Sequence, residues 1–308
     1  MLKKLDGKTI ALLGGSGFVG RAVINRLIEV GAMVRVLTRD PQRARSPLAT
    51  AGVSWHALDI HDQKAVANAA TRCDAFVNLV GILNEHGDSG AGFQRAHVEL
   101  TRTVLAACIE ANVPRFVQMS ALNAAPGAAS HYLQTKGQAE VLITQTQGIR
   151  RAIVRPSVIF GAGDGLFQRF ATLVRWLPCL PLAGANVRFQ PVYVGDVVEA
   201  LLMILADDEL DDCARFELGG PDIWTLREIV DYTAKCTGRF CPVIPLTKRL
   251  ARIQAEVCEH VPGKPFSRDN WRSLQADSVL HGNNSLLTLG IVPTTITSVV
   301  PAILQSHP

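Results

Sequence analysis

Tyr132 and Lys136 stand four residues apart in His131-Tyr-Leu-Gln-Thr-Lys136. On a helix, that spacing puts both side chains on one face. A phenol with its ordinary pKa of about 10 is a poor base at neutral pH. A neighbouring ammonium favours the phenolate and lowers that value, so the pair suits proton transfer at an oxygen atom. Ser120, twelve residues before the tyrosine, closes an apolar run that reads as a strand. The plain alternative is one core tyrosine and one surface lysine. The chain has three tyrosines (132, 193 and 232), which limits chance matches.

A second cluster of chemistry lies in Thr9-Ile-Ala-Leu-Leu-Gly-Gly-Ser-Gly-Phe-Val-Gly-Arg21. An apolar run leads into Gly14, Gly17 and Gly20, and an amphipathic segment follows. Strand, tight glycine turn and helix together cradle a dinucleotide pyrophosphate. Gly14 permits the sharp turn, Gly17 lets backbone N–H groups approach the phosphates, and Gly20 lets helix and strand pack closely. The helix N-terminus adds unpaired N–H groups and a partial positive charge. Ser16, Phe18 and Val19 fill the turn and are expected beside the cofactor.

The end of the second strand selects between dinucleotides, because an acidic residue there binds the ribose 2′-OH of NAD. This chain reads Thr38-Arg39-Asp40-Pro41-Gln42-Arg43 instead. Arg39, with Thr38 beside it and Arg43 adding a second guanidinium, suits a 2′-phosphate. The expected cofactor is therefore NADP(H), with NAD(H) as the alternative. The plain alternative is that both arginines are simply solvated, and Asp40 would cap the next helix.

Alternating elements position these groups. Short apolar runs predict strands over Thr9–Leu13, Met33–Leu37, Val53–Ala57, Ala75–Val80, Arg115–Met119 and Arg151–Arg155. Helices are predicted over Phe18–Val30, Gln42–Ala51, Gln63–Ala70, about Phe93–Ala111 and about His131–Thr146. Such alternation means an α/β, doubly wound parallel sheet with right-handed crossovers. After Pro156 the rhythm breaks. Pro191–Val194 reads as a strand, Asp196 as the N-cap of a helix over Val197–Ala206, and Arg215–Leu218 as another strand. Thr225 and Glu228 form a capping box. The expected division is a Rossmann domain over 1–160 with 191–206 returning to it. The segments 161–190 and 207–308 are then a smaller, mostly helical lobe over the strand ends. Phe167, Phe170, Leu173, Trp176 and Leu177 there suggest a lipid-like, quinone-like or terpenoid substrate, or simply a protein core.

Composition sets outer limits. The 308 residues are 48% hydrophobic and 19% charged, with a net charge of +4. That balance gives no argument for nucleic acid. No apolar run approaches the roughly 20 residues that span a bilayer. Lys3, Lys4 and the apolar run after them imitate a signal peptide, but the glycines cut the run short, so it reads as the first strand. Seven cysteines without a framework spacing suggest reduced thiols in a cytoplasmic protein. Cys236 and Cys241 have no second ligand pair, and His56, His61, His86 and His97 have no metal-ligand spacing. No metal is expected, and most of these histidines read as surface or cap residues.

Together these motifs resemble the short-chain dehydrogenase/reductase superfamily, in its extended and atypical branches. Arg155-Pro-Ser-Val-Ile-Phe-Gly161, Pro191-Val-Tyr-Val-Gly-Asp196 and Phe216-Glu-Leu-Gly-Gly-Pro221 extend the match over roughly residues 8–235. This set is similar to the NAD(P)-dependent epimerase/dehydratase family. It is also similar to the branch holding a nucleotide-binding accessory subunit of respiratory complex I and its bacterial relatives. The resemblance implies a Ser120–Tyr132–Lys136 triad. Tyr132 would be the acid/base, Lys136 would also hold the nicotinamide ribose, and Ser120 would donate to the substrate oxygen. It also implies cofactor contacts from Asp59 and Ile60 at the adenine, from Leu79, Val80 and Gly81 after the fourth strand, and from Pro156 and Val158 beside the nicotinamide. No basic cluster for the pyrophosphate of a sugar nucleotide is evident, although Arg169, Arg175 and Arg188 could serve.

Two classes of function follow. One is an NADP(H)-dependent oxidoreductase acting on a carbonyl or hydroxyl of a small, apolar substrate. The other is a non-catalytic NADP(H)-binding structural, assembly or redox-sensing protein, associated with complex I or the membrane surface. The expected location is cytoplasmic or peripheral to the inner membrane, and the expected state is monomer or homodimer.

Overall fold

The computed structural model describes residues 2–40, 42, 51–163, 165–262 and 264–305. Its centre is a seven-stranded parallel sheet in the order β11-β6-β5-β4-β1-β2-β3. The strands are β1 (Thr9–Leu13), β2 (Met33–Thr38), β3 (Val53–Ala57), β4 (Ala75–Asn78), β5 (Arg115–Met119), β6 (Arg150–Pro156) and β11 (Cys213–Leu218). Strand order reverses between β1 and β4, which opens a crevice at their carboxyl ends.

Both faces of the sheet are covered, which explains the apolar strands. On one face, α1 (Phe18–Glu29) sets Val23, Ile24 and Leu27 against Ile10, Leu12 and Val36. Beside it lies α6 (Val194–Ala206), which adds Val197, Val198, Leu201 and Leu202. The opposite face carries α2 (Gln63–Ala70), α3 (Leu100–Glu110) and α4 (His131–Gln145), which bury Val66, Val104 and Ile143 against Phe76 and Phe116. Asp62 caps α2 through the N–H groups of Lys64 and Ala65. Buried Arg115 in β5 donates to the carbonyls of Ile204 and Leu205 and so satisfies the C-terminus of α6.

The expected strands and helices are present within the usual end shifts, with three differences of substance. Asp196 is not an N-cap: Tyr193 takes that position, and α6 starts at Val194. The Asp196 carboxylate instead accepts from the backbone N–H and the hydroxyl of Thr294, pinning the C-terminal segment to the helix. Cys213–Leu218, assigned from sequence to the smaller lobe, pairs in full register with Arg151–Pro156 as an edge of the main sheet. Ahead of α3, a turn of helix over Ala91–Phe93 passes into a π-helical stretch over Gln94–Glu99. The helix expected over Gln42–Ala51 lies mostly outside the described residues.

Between and after these elements lie β7 (Ile159–Phe160), α5 (Leu166–Trp176), β8 (Leu180–Leu182), β9 (Arg188–Phe189), β10 (Val192–Tyr193), β12 (Trp224–Thr225), α7 (Leu226–Cys236), β13 (Val243–Pro245), α8 (Lys248–Glu259) and α9 (Arg268–Ser273). The capping box of Thr225 and Glu228 opens α7 as expected. Phe167 of α5 is core, packed with Phe160 and Ile229, and Phe170 and Leu173 are partly buried against the same lobe. Trp176 and Leu177 point outward. The apolar sequence run is therefore mainly lobe core.

Candidate active site

The glycine turn sits at the mouth of the crevice. Gly14 has φ +83°, and a Cβ there would lie 3.1 Å from the backbone of Leu79 across the strand reversal. A Cβ on Gly20 would lie 2.2 Å from the Gly14 carbonyl oxygen, so only glycine permits this approach of helix and turn. Gly17 is the N-cap of α1; no side chain caps that end and no acidic residue occupies its first turn. The end is thus open to an anion. Ser16 is exposed and receives Arg21 Nε on its carbonyl, while Phe18 and Val19 are half-buried. Phe18 reaches across toward Gly161.

Thr38 ends β2, and Arg39 just beyond it is exposed, with no ion pair among the described residues. The Asp40 carboxylate accepts from the backbone N–H of Gln42, the capping role expected of it. Arg43 lies outside the described residues. Asp59 is exposed after β3 and receives the His61 N–H. Ile60 beside it is buried in the core. Leu79 and Val80 are half-buried, and Gly81 is exposed. Pro156 ends β6 with its carbonyl accepting from Leu122 N–H, and the Val158 carbonyl receives Val192 N–H.

Tyr132 and Lys136 occupy the first two turns of α4, which Ser130 caps through Leu133 N–H. Lys136 is buried. Its ammonium donates to the Val80 carbonyl at 3.2 Å and to the Met119 carbonyl at 3.0 Å, at the ends of β4 and β5. A Cβ on Gly81 would sit 3.2 Å from Lys136 Nζ, so a glycine leaves room beside the ammonium. Burial pushes the Lys136 pKa down to about 8, against a smaller upward pull from Glu140. Burial pushes the Tyr132 phenol up to about 12. The expectation that Lys136 depresses the tyrosine is not met here: the ammonium is turned to two carbonyls, and desolvation dominates. A phenol so raised is a proton donor at neutral pH.

Ser120 departs further from its expected role. It is buried, and its hydroxyl donates to the carboxylate of Glu140. A hydroxyl has one proton, so that bond leaves none for a substrate oxygen. Glu140, also buried, is held by Arg155 Nε at 2.9 Å and by Arg155 Nη2, and Arg155 reaches Glu217 at 3.2 Å. The Arg-Pro motif thus supplies the partner of a buried carboxylate on the tyrosine helix itself. Removing one member of such a pair strands a buried charge.

Sequence reading missed two further contributors. His97 is buried on the π-helical stretch, not a surface or cap residue. Its Nε2 accepts from Ile82 N–H at 3.2 Å, which places the ring proton on Nδ1, 2.9 Å from the Thr135 hydroxyl. Thr135 then donates to the His131 carbonyl. The imidazole therefore ties the loop after β4 to α4, and it packs edge-on against the Tyr132 ring at 5.6 Å. Burial pushes its pKa down to about 2.

The second contributor is Asp269 on α9, from the stretch that carries no sequence motif. Its carboxylate accepts from His131 N–H at 2.7 Å and Tyr132 N–H at 3.1 Å, capping the tyrosine helix from another part of the chain. Asp88, His131 and Asp269 bring ligand atoms within 4.8 Å of one another. The Arg272 guanidinium is bonded to both of those carboxylates, which makes this an ion-pair cluster.

Comparison with known proteins places this geometry in a lineage. Residues 10–219 match the NAD dependent epimerase/dehydratase family. A mitochondrial NADH dehydrogenase [ubiquinone] 1 alpha subcomplex subunit 9 from Arabidopsis thaliana is 28% identical over 294 residues, covering 91% of this chain and 72% of that protein. A 4-hydroxy-2-methyl-3-oxo-4-farnesyl-3,4-dihydroquinoline-1-oxide ketoreductase from Stigmatella aurantiaca is 30% identical over 211 residues, 62% of each chain. Among solved structures, the dTDP-glucose 4,6-dehydratase DesIV of Streptomyces venezuelae, with NAD and TYD bound, superposes with a TM-score of 0.75. It is 18% identical, and the match covers 96% of each chain. The parallel sheet with its order reversal, the glycine turn at that reversal and the match across most of the sheet lead to one conclusion: the chain belongs to the NAD dependent epimerase/dehydratase family.

Proposed function

We propose that this protein is an NADP(H)-dependent oxidoreductase that reduces a carbonyl on a small, apolar substrate. The observation that carries the reading is the pair on α4: a phenol held protonated, and one turn on, a buried ammonium beside Gly81 at the crevice. The pyrophosphate would lie on Gly14, Ser16, Gly17, Phe18, Val19 and Gly20, and the 2′-phosphate against Thr38, Arg39 and Arg43. The adenine would lie by Asp59 and the Ile60 backbone, and the nicotinamide among Leu79, Val80, Gly81, Pro156 and Val158. NADPH supplies the hydride when bound. Tyr132 gives its proton to the oxygen that gains charge as the carbonyl is reduced. Lys136, one turn further along α4, would hold the ribose hydroxyls with the N–H that its two strand-end carbonyls leave free. The ketoreductase relative, named for a farnesylated quinoline substrate, supports an apolar substrate class.

Titration of nicotinamide fluorescence tests the cofactor assignment. NADPH should bind at least about ten-fold more tightly than NADH, and Arg39→Ala should remove most of that preference. Carbonyl reduction by NADPH should fall about 100-fold or more in Tyr132→Phe with NADPH affinity retained. Retained turnover in that variant refutes the catalytic role.

A second reading has its own support. Ser120 is occupied by Glu140, and relatives from several eukaryotes are named as subunits of NADH dehydrogenase. On that reading the protein binds NADP(H) without turnover and associates with a respiratory complex at the cytoplasmic face of the inner membrane, as monomer or homodimer. Full NADPH binding with no turnover in any carbonyl screen would favour it.

A further inference from the structure

Helix α8 is fastened on one side only. Ala251 and Ala255 are buried, and Gln254 clamps the helix to β8, donating to the Pro181 carbonyl at 2.8 Å and accepting from Ala183 N–H at 3.3 Å. The outer side carries Leu250, Ile253 and Val257, exposed by 51, 56 and 61%, and Val261 follows just past the helix end. Spacings of three and four residues line Leu250, Ile253 and Val257 into one stripe of the helix. Single exposed apolar residues need no explanation, but a continuous ridge marks an interaction surface.

The exposed charge along the helix is mainly positive. Lys248, Arg249 and Arg252 are exposed and meet no carboxylate among the described residues. Of the helix's two acidic residues, Glu256 is exposed and Glu259 is buried against Arg268. An apolar stripe with free cations along a helix of low mean hydropathy is the pattern of a helix lying in a lipid–water interface. We propose that this face of α8 docks on an anionic lipid bilayer, with the stripe entering the headgroup region and the three cations meeting lipid phosphates.

Docking would orient the crevice. Lys264 donates to the Glu85 carbonyl, and Asn84 Nδ2 donates to the Lys264 carbonyl, so the segment after α8 is tied to the loop beyond β4. Leu83 stands exposed in that same loop. The bilayer-facing ridge thus ends beside the loop that follows β4. The proposal stands whether or not the protein turns over a substrate.

Flotation of the full chain with vesicles tests it. The protein should float with vesicles of equal parts phosphatidylcholine and phosphatidylglycerol, and should stay behind with phosphatidylcholine alone. Ile253→Asp with Val257→Asp should abolish flotation. Each of Lys248→Gln, Arg249→Gln and Arg252→Gln should weaken partitioning about five-fold, and added salt should mimic them. All these side chains are exposed, so an unchanged thermal midpoint verifies folding of each variant. No flotation of the wild type, or equal flotation of the Ile253→Asp/Val257→Asp variant, overturns the proposal. Self-association lost in that variant, without flotation, would assign the face to a second copy of this chain and likewise overturn it.

Discussion

Ser120 shows how a residue in the expected place can serve a different end. Its hydroxyl completes the hydrogen bonding of buried Glu140, so its removal is expected to act on stability first. Ser120→Ala should cost about 1–3 kcal/mol in chemical denaturation, because a buried carboxylate loses a donor. It should change the rate of NADPH-dependent reduction by no more than a few-fold. A large loss of rate at unchanged stability would return the serine to the substrate-positioning role. Tyr132 and Lys136 carry opposite shifts from one cause. Burial disfavours the charged form of each, so it raises the phenol and lowers the ammonium.

At the scale of elements, α4 is held at its start by Asp269, from far along the chain. Asp269→Ala leaves two N–H groups of the first turn without their acceptor and releases one arm of Arg272. The expected loss is about 1–3 kcal/mol, with Asn restoring part of it because its amide oxygen still accepts. Any reduction activity should fall through misplacement of Tyr132. Activity lost with no fall in the denaturation midpoint would argue against the capping account. The π-helical stretch has a comparable use: it projects His97 inward, where the imidazole joins Ile82 of the β4 loop to Thr135 of α4.

For the whole molecule, His97 should set part of the acid sensitivity. Its folded pKa is lowered to about 2 from 6.5, so below 6.5 the unfolded chain takes a proton that the native state refuses. The sign is therefore stability retained above 6.5 and lost as pH falls. The slope is about 1.4 kcal/mol per pH unit from this group alone. Urea denaturation of wild type and His97→Gln between neutral and acidic pH should show a shallower pH slope in the variant. An identical slope would remove His97 from the acid response. No helix among the described residues is long and apolar enough to cross a membrane.

How much was legible in the chain follows from the range of each interaction. Gly14, Gly17 and Gly20 after an apolar run determine a local object, a strand, turn and helix whose sterics involve neighbours in sequence. Tyr132 and Lys136 likewise share a face because helix geometry alone puts them there. The alternation of apolar runs and helices was enough for a parallel sheet, since strands buried on both faces need apolar side chains throughout. The tertiary structure decided everything that depends on partners far apart in sequence. It sent the proton of Ser120 to Glu140, turned Lys136 onto two strand-end carbonyls, buried His97, gave Asp196 to Thr294 and brought Cys213–Leu218 to the sheet edge. It also delivered Asp269 to the start of α4 and left the ridge of α8 uncovered. Hydrogen bonds and desolvation act over a few ångströms in space, and sequence spacing does not report that distance once the chain has folded back on itself.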